Sequence, residues 1–425
     1  MLPQSPFLAL QHRNFRLLWT GQLISFSGSN MQTAALLWHV SLLVPPAQRP
    51  IALGMVGLVR LMPIVFFSIA GGTLADASDR RRVMLVTQTG MALAALTLAA
   101  LTFRGVEHPW PIYSLAAVGA ALGAFDSPAR QSLIPMLVPR DHLPNAISLN
   151  AIMLQIASVA GPAIGGLLIA TAGVGWVYAA NALTFVCVIV ALLRMRDVPI
   201  RRAEEAGEIS VRAVREGFGF VFSSPIIRST MLLDFFATFF SSATALLPIF
   251  AQDILHVGAR GYGWLYAAPS VGAVLTSMVM VRSIDRIERR GVVLLWAVCA
   301  YGAATVVFGL SNSFWLTFLC LAVTGAADTI SMVLRNVIRQ LGTPDHLRGR
   351  MIGINMVFFQ GGPQLGELEA GLVAQWIGPR ASVVTGGFGC LVAAALIAAR
   401  TPALINYRRS FIDATEQARL RSVVR

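Results

Sequence analysis

Three carboxylates of this chain sit where water is scarce. Asp234, Glu367 and Glu369 interrupt stretches that are otherwise apolar and long enough to cross a bilayer. An unpaired carboxylate at the middle of a membrane costs ~2.5–3.5 kcal/mol. Each must therefore face a wet cavity, find a cation or bind a proton, and a group that alternates among these conditions can carry a proton. Glu367 shares a helical face with Gln360 and Gln364, so it can be hydrated when a cavity is open and desolvated when it closes. It is the first candidate proton carrier and Asp234 the second, although Asp234 lies roughly 8 Å from the inner end of its stretch and could simply be hydrated there. Glu369 points about 200° away from Glu367, into different surroundings. Arg60 stands inside an apolar stretch, where an arginine alone is costly.

Polar stripes mark a candidate substrate cavity. Gln22, Ser25, Ser29 and Gln32 fall on one helical face, as do Thr230, Asp234, Thr238 and Ser241, and Gln360 and Gln364 add a third polar strip. Phe235, Phe236, Phe239, Phe240, Trp264 and Tyr266 offer apolar surface to a ligand.

Other chemistry lacks its parts. The four cysteines, Cys187, Cys299, Cys320 and Cys390, have no CxxC spacing, and the six histidines form no metal-binding pair. The chain has no lysine, which excludes a Walker A phosphate loop. No nucleophile–base set is visible, so neither an enzyme nor a metal or cofactor site is expected.

The elements that must position these residues are membrane helices. Hydrophobic residues make up 56% of the 425, charged residues 12%, and mean hydropathy is +0.68, outside the range of soluble domains. Apolar stretches fall at 15–43, 51–75, 83–103, 110–127, 147–171, 174–194, 229–251, 261–281, 291–311, 314–334, 352–377 and 379–399. Each is long enough to span. The first lacks a small-residue cleavage pattern and is echoed by the seventh, so it belongs to the fold. The expected class is an all-α membrane protein with twelve transmembrane helices.

Those helices are written twice. Gly57, Pro63, Asp79 and Arg80 recur 206 residues later as Gly263, Pro269, Asp285 and Arg286; Arg130 recurs as Arg335, and Gly161-Pro162 as Gly362-Pro363. Two six-helix pseudo-repeat bundles follow, 1–194 and 229–400, an arrangement typical of secondary transporters. Between them, 195–228 reads as a cytoplasmic linker carrying Arg201, Arg202, Glu204 and Glu205 and then an amphipathic helix. Residues 401–425 read as a polar cytoplasmic tail.

The net charge of +13 comes from 33 arginines. With the N-terminus inside, 28 of the 33 fall in the termini and the loops after even-numbered spans, while Arg49, Arg104, Arg260 and Arg380 fall outside. That bias places both termini in the cytoplasm. It accounts for the charge through topology and anionic lipid, and no basic face with interleaved aromatics points to nucleic acid.

Two motifs are suited to moving parts. After the second stretch, Gly72 and Asp76 precede Asp79, Arg80 and Arg81. There Asp76 can meet basic side chains and a helix N-terminus, latching one state. In the fifth stretch, Gly161 and Gly165 present a strip without side chains for close helix packing, followed by Gly166, and Pro162 supplies a weak point.

The loop from Gly72 to Arg82 resembles the loop two–three signature of the major facilitator superfamily, with Asp79 where a glycine is common. Ala160 to Gly166 resembles the glycine–proline motif of its drug–proton antiporter branch. Arg13-Asn14-Phe15-Arg16 and Gly366-Glu367-Leu368-Glu369 are similar to the transmembrane secretion effector group, which includes enterobactin-exporter-like and macrolide-efflux-like proteins. The resemblance implies a major facilitator fold in a bacterial inner membrane, acting as a monomer. It also implies export of a small amphipathic molecule, siderophore or drug-like, in exchange for protons. In that family the second and eleventh helices face each other, so Arg60, roughly 12–14 Å below the outer surface, is expected to pair with Glu369 or Glu367, Glu369 being favoured. Import of a small solute by proton symport is the alternative, and a membrane sensor or scaffold is a third reading.

Overall fold

The structure is a computed structural model describing residues 7–77, 79–105, 108–196, 219–344 and 347–408, with the side chains of 68–77, 243, 285, 348–350, 352, 353 and 357 excepted. The side chain of Asp76, that of Asp285, the linker's 197–218 and the tail's 409–425 lie outside the described residues.

Among the described residues, the helices of 16 residues or more are α1 (Arg13–Leu43), α2 (Arg49–Ala77), α3 (Arg80–Phe103), α4 (Trp110–Leu133), α5 (Leu143–Ala172), α6 (Val174–Arg194), α7 (Pro225–Phe240), α8 (Gly258–Ser283), α9 (Arg290–Leu310), α10 (Phe314–Gly342), α11 (Arg348–Ile377) and α12 (Pro379–Arg400). No strand occurs among those residues, in keeping with the requirement that backbone groups be satisfied within each segment in lipid. Nine described segments are long and apolar enough to cross a membrane. α1, α4 and α11 fall outside that set, and α1 and α11 carry glutamine-bearing polar stripes. The all-α membrane class holds, and twelve spans is the count we propose.

The described residues form two compact units, one from Met1–Gly207 with Leu247–Ala267, the other from Glu208–Leu246 with Ala268–Arg425. The repeat is visible in their packing. In unit 1, α1 packs on α5 and α6, and α3 on α4 and α6; in unit 2, α7 packs on α11 and α12, and α9 on α10 and α12. The turns repeat too. Gly173 between α5 and α6 has φ +93° and Gly378 between α11 and α12 has φ +90°, a region that side-chain-bearing residues rarely occupy.

The seventh apolar stretch departs from its reading as one helix over 229–251. α7 stops at Phe240, and the chain continues through a 3-10 turn (Ala243–Leu246), a short helix (Leu247–Ile249) and a π turn (Phe250–Ile254). The interrupted segment packs closely on α11. A Cβ on Gly366 of α11 would collide with the Phe239 carbonyl and meet Ser242 Cβ, and Ser242 Oγ donates to the Pro363 carbonyl at 3.0 Å. Irregular backbone at membrane depth persists where protein covers it, and Ser241 and Ser242 are buried. Leu247–Ala267, beyond the break, belongs to unit 1.

Candidate functional site

Unit 2 holds a buried ionic cluster around one of the three carboxylates. Asp234 on α7 is 2% exposed, enclosed with Arg335 and Arg339 of α10. Arg335 Nη2 lies 2.9 Å from Asp234 Oδ1, and Arg339 Nη2 donates to Asp234 Oδ2 at 3.3 Å. Arg335 Nη1 also donates to Ser331 Oγ at 2.8 Å, and its Nη2 approaches Asp328 Oδ1 at 3.4 Å. The spacing explains the arrangement: Asp328, Ser331, Arg335 and Arg339 recur at three- and four-residue steps along α10 and so share one face. Asp234 is therefore held between two guanidinium groups rather than hydrated at a helix end.

A cavity of about 120 Å³ adjoins this cluster, lined by apolar groups such as Phe308 and Leu321 together with Ser241, Tyr301, Thr305 and Asp328. Of the α7 stripe, Ser241 faces this cavity. Thr230 is enclosed and bonds the Ile227 carbonyl, while Thr238 returns its hydroxyl to the Asp234 carbonyl at 2.8 Å. Gln360, Gln364, Glu367 and Glu369 are half-buried on α11.

Unit 1 carries the counterpart. Asp126 and Arg130 of α4 are buried, with Arg130 Nε 3.8 Å from Asp126 Oδ2. Thr87 Oγ1 and Gln88 Nε2 donate to Asp126 Oδ1 at 3.0 and 2.9 Å, and the Arg130 guanidinium lies 4.6 Å from the Phe26 ring centre. Of the α1 stripe, Gln22 and Ser25 are buried, with Gln22 Nε2 lacking a hydrogen-bond partner among the described residues, Gln32 Oε1 accepts from Asn181 Nδ2 at 2.8 Å, and Ser29 is half-buried.

These clusters correct one expectation: Arg130, Arg335 and Arg339, counted with the arginines of loops, lie buried inside helices, while Arg60 is half-buried on α2. α4 and α10 run past the C-terminal ends of the apolar stretches 110–127 and 314–334, which makes these three arginines helical. Hydropathy ends a stretch where charges begin, whereas paired charges let the helix continue. Sequence reading missed Asp126, Asp328 and Arg339 as site residues. The signal available was an Asp with Arg four or seven residues on, together with the Arg130–Arg335 repeat.

The helix-five glycines pack as their spacing suggests. A Cβ on Gly161 would meet the Ser27 carbonyl and Asn30 of α1; one on Gly165 would meet Met31; one on Gly166 would lie 2.6 Å from the Ala259 carbonyl and Gly263 Cα of α8. Pro162 offers its carbonyl to the same spot, 2.6 Å from where a Gly263 Cβ would stand. In unit 2, Gly362 abuts Thr238, and Gly366 abuts Phe239 and Ser242.

The loop signature has a defined inner end. Asp79 caps α3, accepting from the Arg81 and Arg82 amides at 3.0 and 3.4 Å, which accounts for an aspartate there. Arg81 turns to the end of α6, with Nε donating to the Leu192 carbonyl at 2.7 Å and Nη2 to that of Leu193 at 3.1 Å, where a cation suits the helix C-terminus. Arg80 Nη1 lies 3.0 Å from Met136 Sδ, and Arg286 is exposed.

Comparison with known proteins gives this architecture a family. A family model described as transmembrane secretion effector matches residues 4–412. The chain belongs to that family. It is a multi-pass membrane transporter of the major facilitator type. It is 30% identical over 338 residues to the enterobactin exporter EntS of Escherichia coli O1:K1 / APEC, covering 77% of this chain and 78% of that one. It is 29% identical over 335 residues to the enterobactin exporter EntS of Shigella boydii serotype 18, with the same coverage. Among solved structures, the fold matches a bacterial homologue of the human lysosomal transporter Spinster, with TM-score 0.71, 16% identity, and 93% of this chain and 98% of that one covered. It also matches a POT family transporter in complex with 5-aminolevulinic acid, with TM-score 0.75, 11% identity, and coverage of 92% and 96%.

Proposed function

We propose that this secretion-effector transporter exports a small amphipathic organic molecule, siderophore or drug-like, in exchange for protons. The observation that carries the export reading is the similarity to enterobactin exporters over three quarters of the chain. Proton exchange is supported by half-buried Glu367 and Glu369 on α11 and by the ionic cluster of unit 2, since intramembrane charges are retained for transport or coupling. Alternating access arises from rocking of the bundles 1–194 and 229–400 in a bacterial inner membrane, with both termini cytoplasmic. Glu367 is the first carrier, and Asp234, the second candidate, serves as the fixed counter-charge of two guanidinium groups. Ser29, Thr238, Gln360 and Gln364 contribute polar contacts to the substrate, with Gln22, Ser25, Gln32 and Ser241 behind them. Close packing at Gly161, Pro162, Gly165 and Gly166 lets helices shift as rigid bodies.

The test is efflux of enterobactin from cells with and without the protein, with and without a protonophore. Protein-dependent efflux that collapses with the protonophore is expected. Efflux unchanged by deletion, for enterobactin and for a panel of amphipathic drugs, overturns the export reading. A Glu367→Gln variant should keep substrate binding and lose the pH dependence of transport.

A further inference from the structure

We infer that Asp328 of α10 is a proton-exchanging carboxylate of unit 2, read out through Arg335. The inference deepens the proton-antiport reading above and rests on it for its purpose, though not for its geometry.

Four charges meet in the cluster, Asp234, Asp328, Arg335 and Arg339, and they sum to zero. The two carboxylates are not equivalent. Asp234 has a guanidinium on each oxygen and a side chain 3% exposed. Neutralising it would leave Arg335 and Arg339 facing each other across an enclosed space, with Asp328 the one remaining counter-charge. Asp328 has a 3.4 Å share of Arg335 and a side chain 40% exposed. Neutralising it leaves Asp234 between both arginines with every contact intact. Uncompensated buried charge is the costly outcome, so the cluster tolerates a proton on Asp328 and resists one on Asp234.

Access points the same way. Asp328 lines the 120 Å³ cavity, whose wall is mainly apolar but includes Ser241, Tyr301, Thr305 and Thr324, and whose volume is large enough for water. The groups around Asp328 are consistent with one exchanging site. α7 contributes Asp234, α9 contributes Tyr301, α10 itself contributes Arg335 and Arg339, and α8 presents Pro269 and Gly272 where it crosses α10. Cys390 of α12 donates its thiol to the Val298 carbonyl of α9 at 3.7 Å.

The step balances simply. A hydronium ion in the cavity gives one proton to an Asp328 oxygen and leaves as water, so one O–H bond forms as one breaks. Arg335 loses that partner and keeps Asp234 and Ser331. Ser241 and Thr244, at the interruption of α7, line the same cavity, so the change is felt where the seventh span is not continuous helix. Return of the proton to water on the other side restores the pair.

The test is infrared difference spectroscopy of the purified full chain in nanodiscs during acidification in D2O, with no substrate, comparing wild type, Asp328→Asn, Asp234→Asn and Glu367→Gln. A protonated-carboxyl band present in wild type should vanish in Asp328→Asn, persist in Glu367→Gln and move to lower pH in Asp234→Asn, where Asp328 is left as the counter-charge of both arginines, with proton uptake lower by about one per chain in Asp328→Asn. Should the neutral variant fail to fold, Asp328→Glu keeps a carboxyl and should move the band to a new frequency. An Asp328→Asn spectrum identical to wild type, or an unshifted band in Asp328→Glu, overturns the inference. A protonophore arm using enterobactin efflux separates the two readings: loss of the band with efflux indifferent to the protonophore keeps the site and removes the antiport reading.

Discussion

Asp234 and Arg335 stand 2.9 Å apart, one on α7 and the other on α10, both enclosed within one unit. Their contact joins a span that breaks after Phe240 to one that runs unbroken from Phe314 to Gly342, so charge pairing and helix interruption meet in one place.

Removing Asp234 should destabilise the protein by about 3–5 kcal/mol, because two buried guanidinium groups lose their shared partner. Asp234→Ala should melt well below wild type in detergent, and Asp234→Asn combined with Arg339→Gln should recover part of the loss. A thermal melt of each purified variant decides it, and equal melting of Asp234→Ala and wild type would contradict the pairing.

Backbone contact between α5 and α8 predicts a size effect at one glycine. Gly166→Ala places a Cβ about 2.6 Å from the Ala259 carbonyl, and overpacking of this kind costs about 1–3 kcal/mol. Gly119→Ala, with no atom within 4 Å of the added carbon, should be silent. Melting curves of the two variants should differ accordingly.

Within unit 1, Arg49 Nη1 donates to both Asp253 carboxylate oxygens at 3.1 and 3.0 Å, beside Gln252 Nε2 donating to Ser41 Oγ at 2.7 Å. Asp253 is half exposed, so the pair should contribute about 0.2–1 kcal/mol and weaken with salt. Arg49→Asp with Asp253→Arg should restore what either single reversal removes, measured as transport rate at low salt.

Arginine placement predicts topology. A reporter fused after residue 206 should be cytoplasmic and one inserted near Arg260 external; an external signal at 206 reverses the orientation.

For Arg60, Glu369 is the partner we propose. Arg60→Ala and Glu369→Ala should each reduce transport, and Arg60→Glu with Glu369→Arg should recover part of it. Failure of the swap to exceed the single variants removes the proposal.

What the sequence determined by itself was the class, the repeat and the family resemblance. These rest on hydropathy, which follows from each residue's affinity for lipid, and on motifs such as Gly161-Pro162 and Asp79-Arg80, whose roles are local: a small residue permits close approach, and an aspartate caps the next helix. Tertiary structure alone decided which charges meet. Asp234 and Arg335 lie about a hundred residues apart, and no helical period relates them; only the packing of α7 on α10 makes one the counter-charge of the other. The same packing carried α4 and α10 past the points where hydropathy ended them, since a buried arginine is tolerated in a helix once a neighbouring carboxylate answers it. The break after Phe240 was hidden for a related reason. Ser241, Ser242 and Pro248 weaken a helix there, but the stretch as a whole reads as apolar, and the close approach of Gly366 to the Phe239 carbonyl at the same place is seen only in the fold.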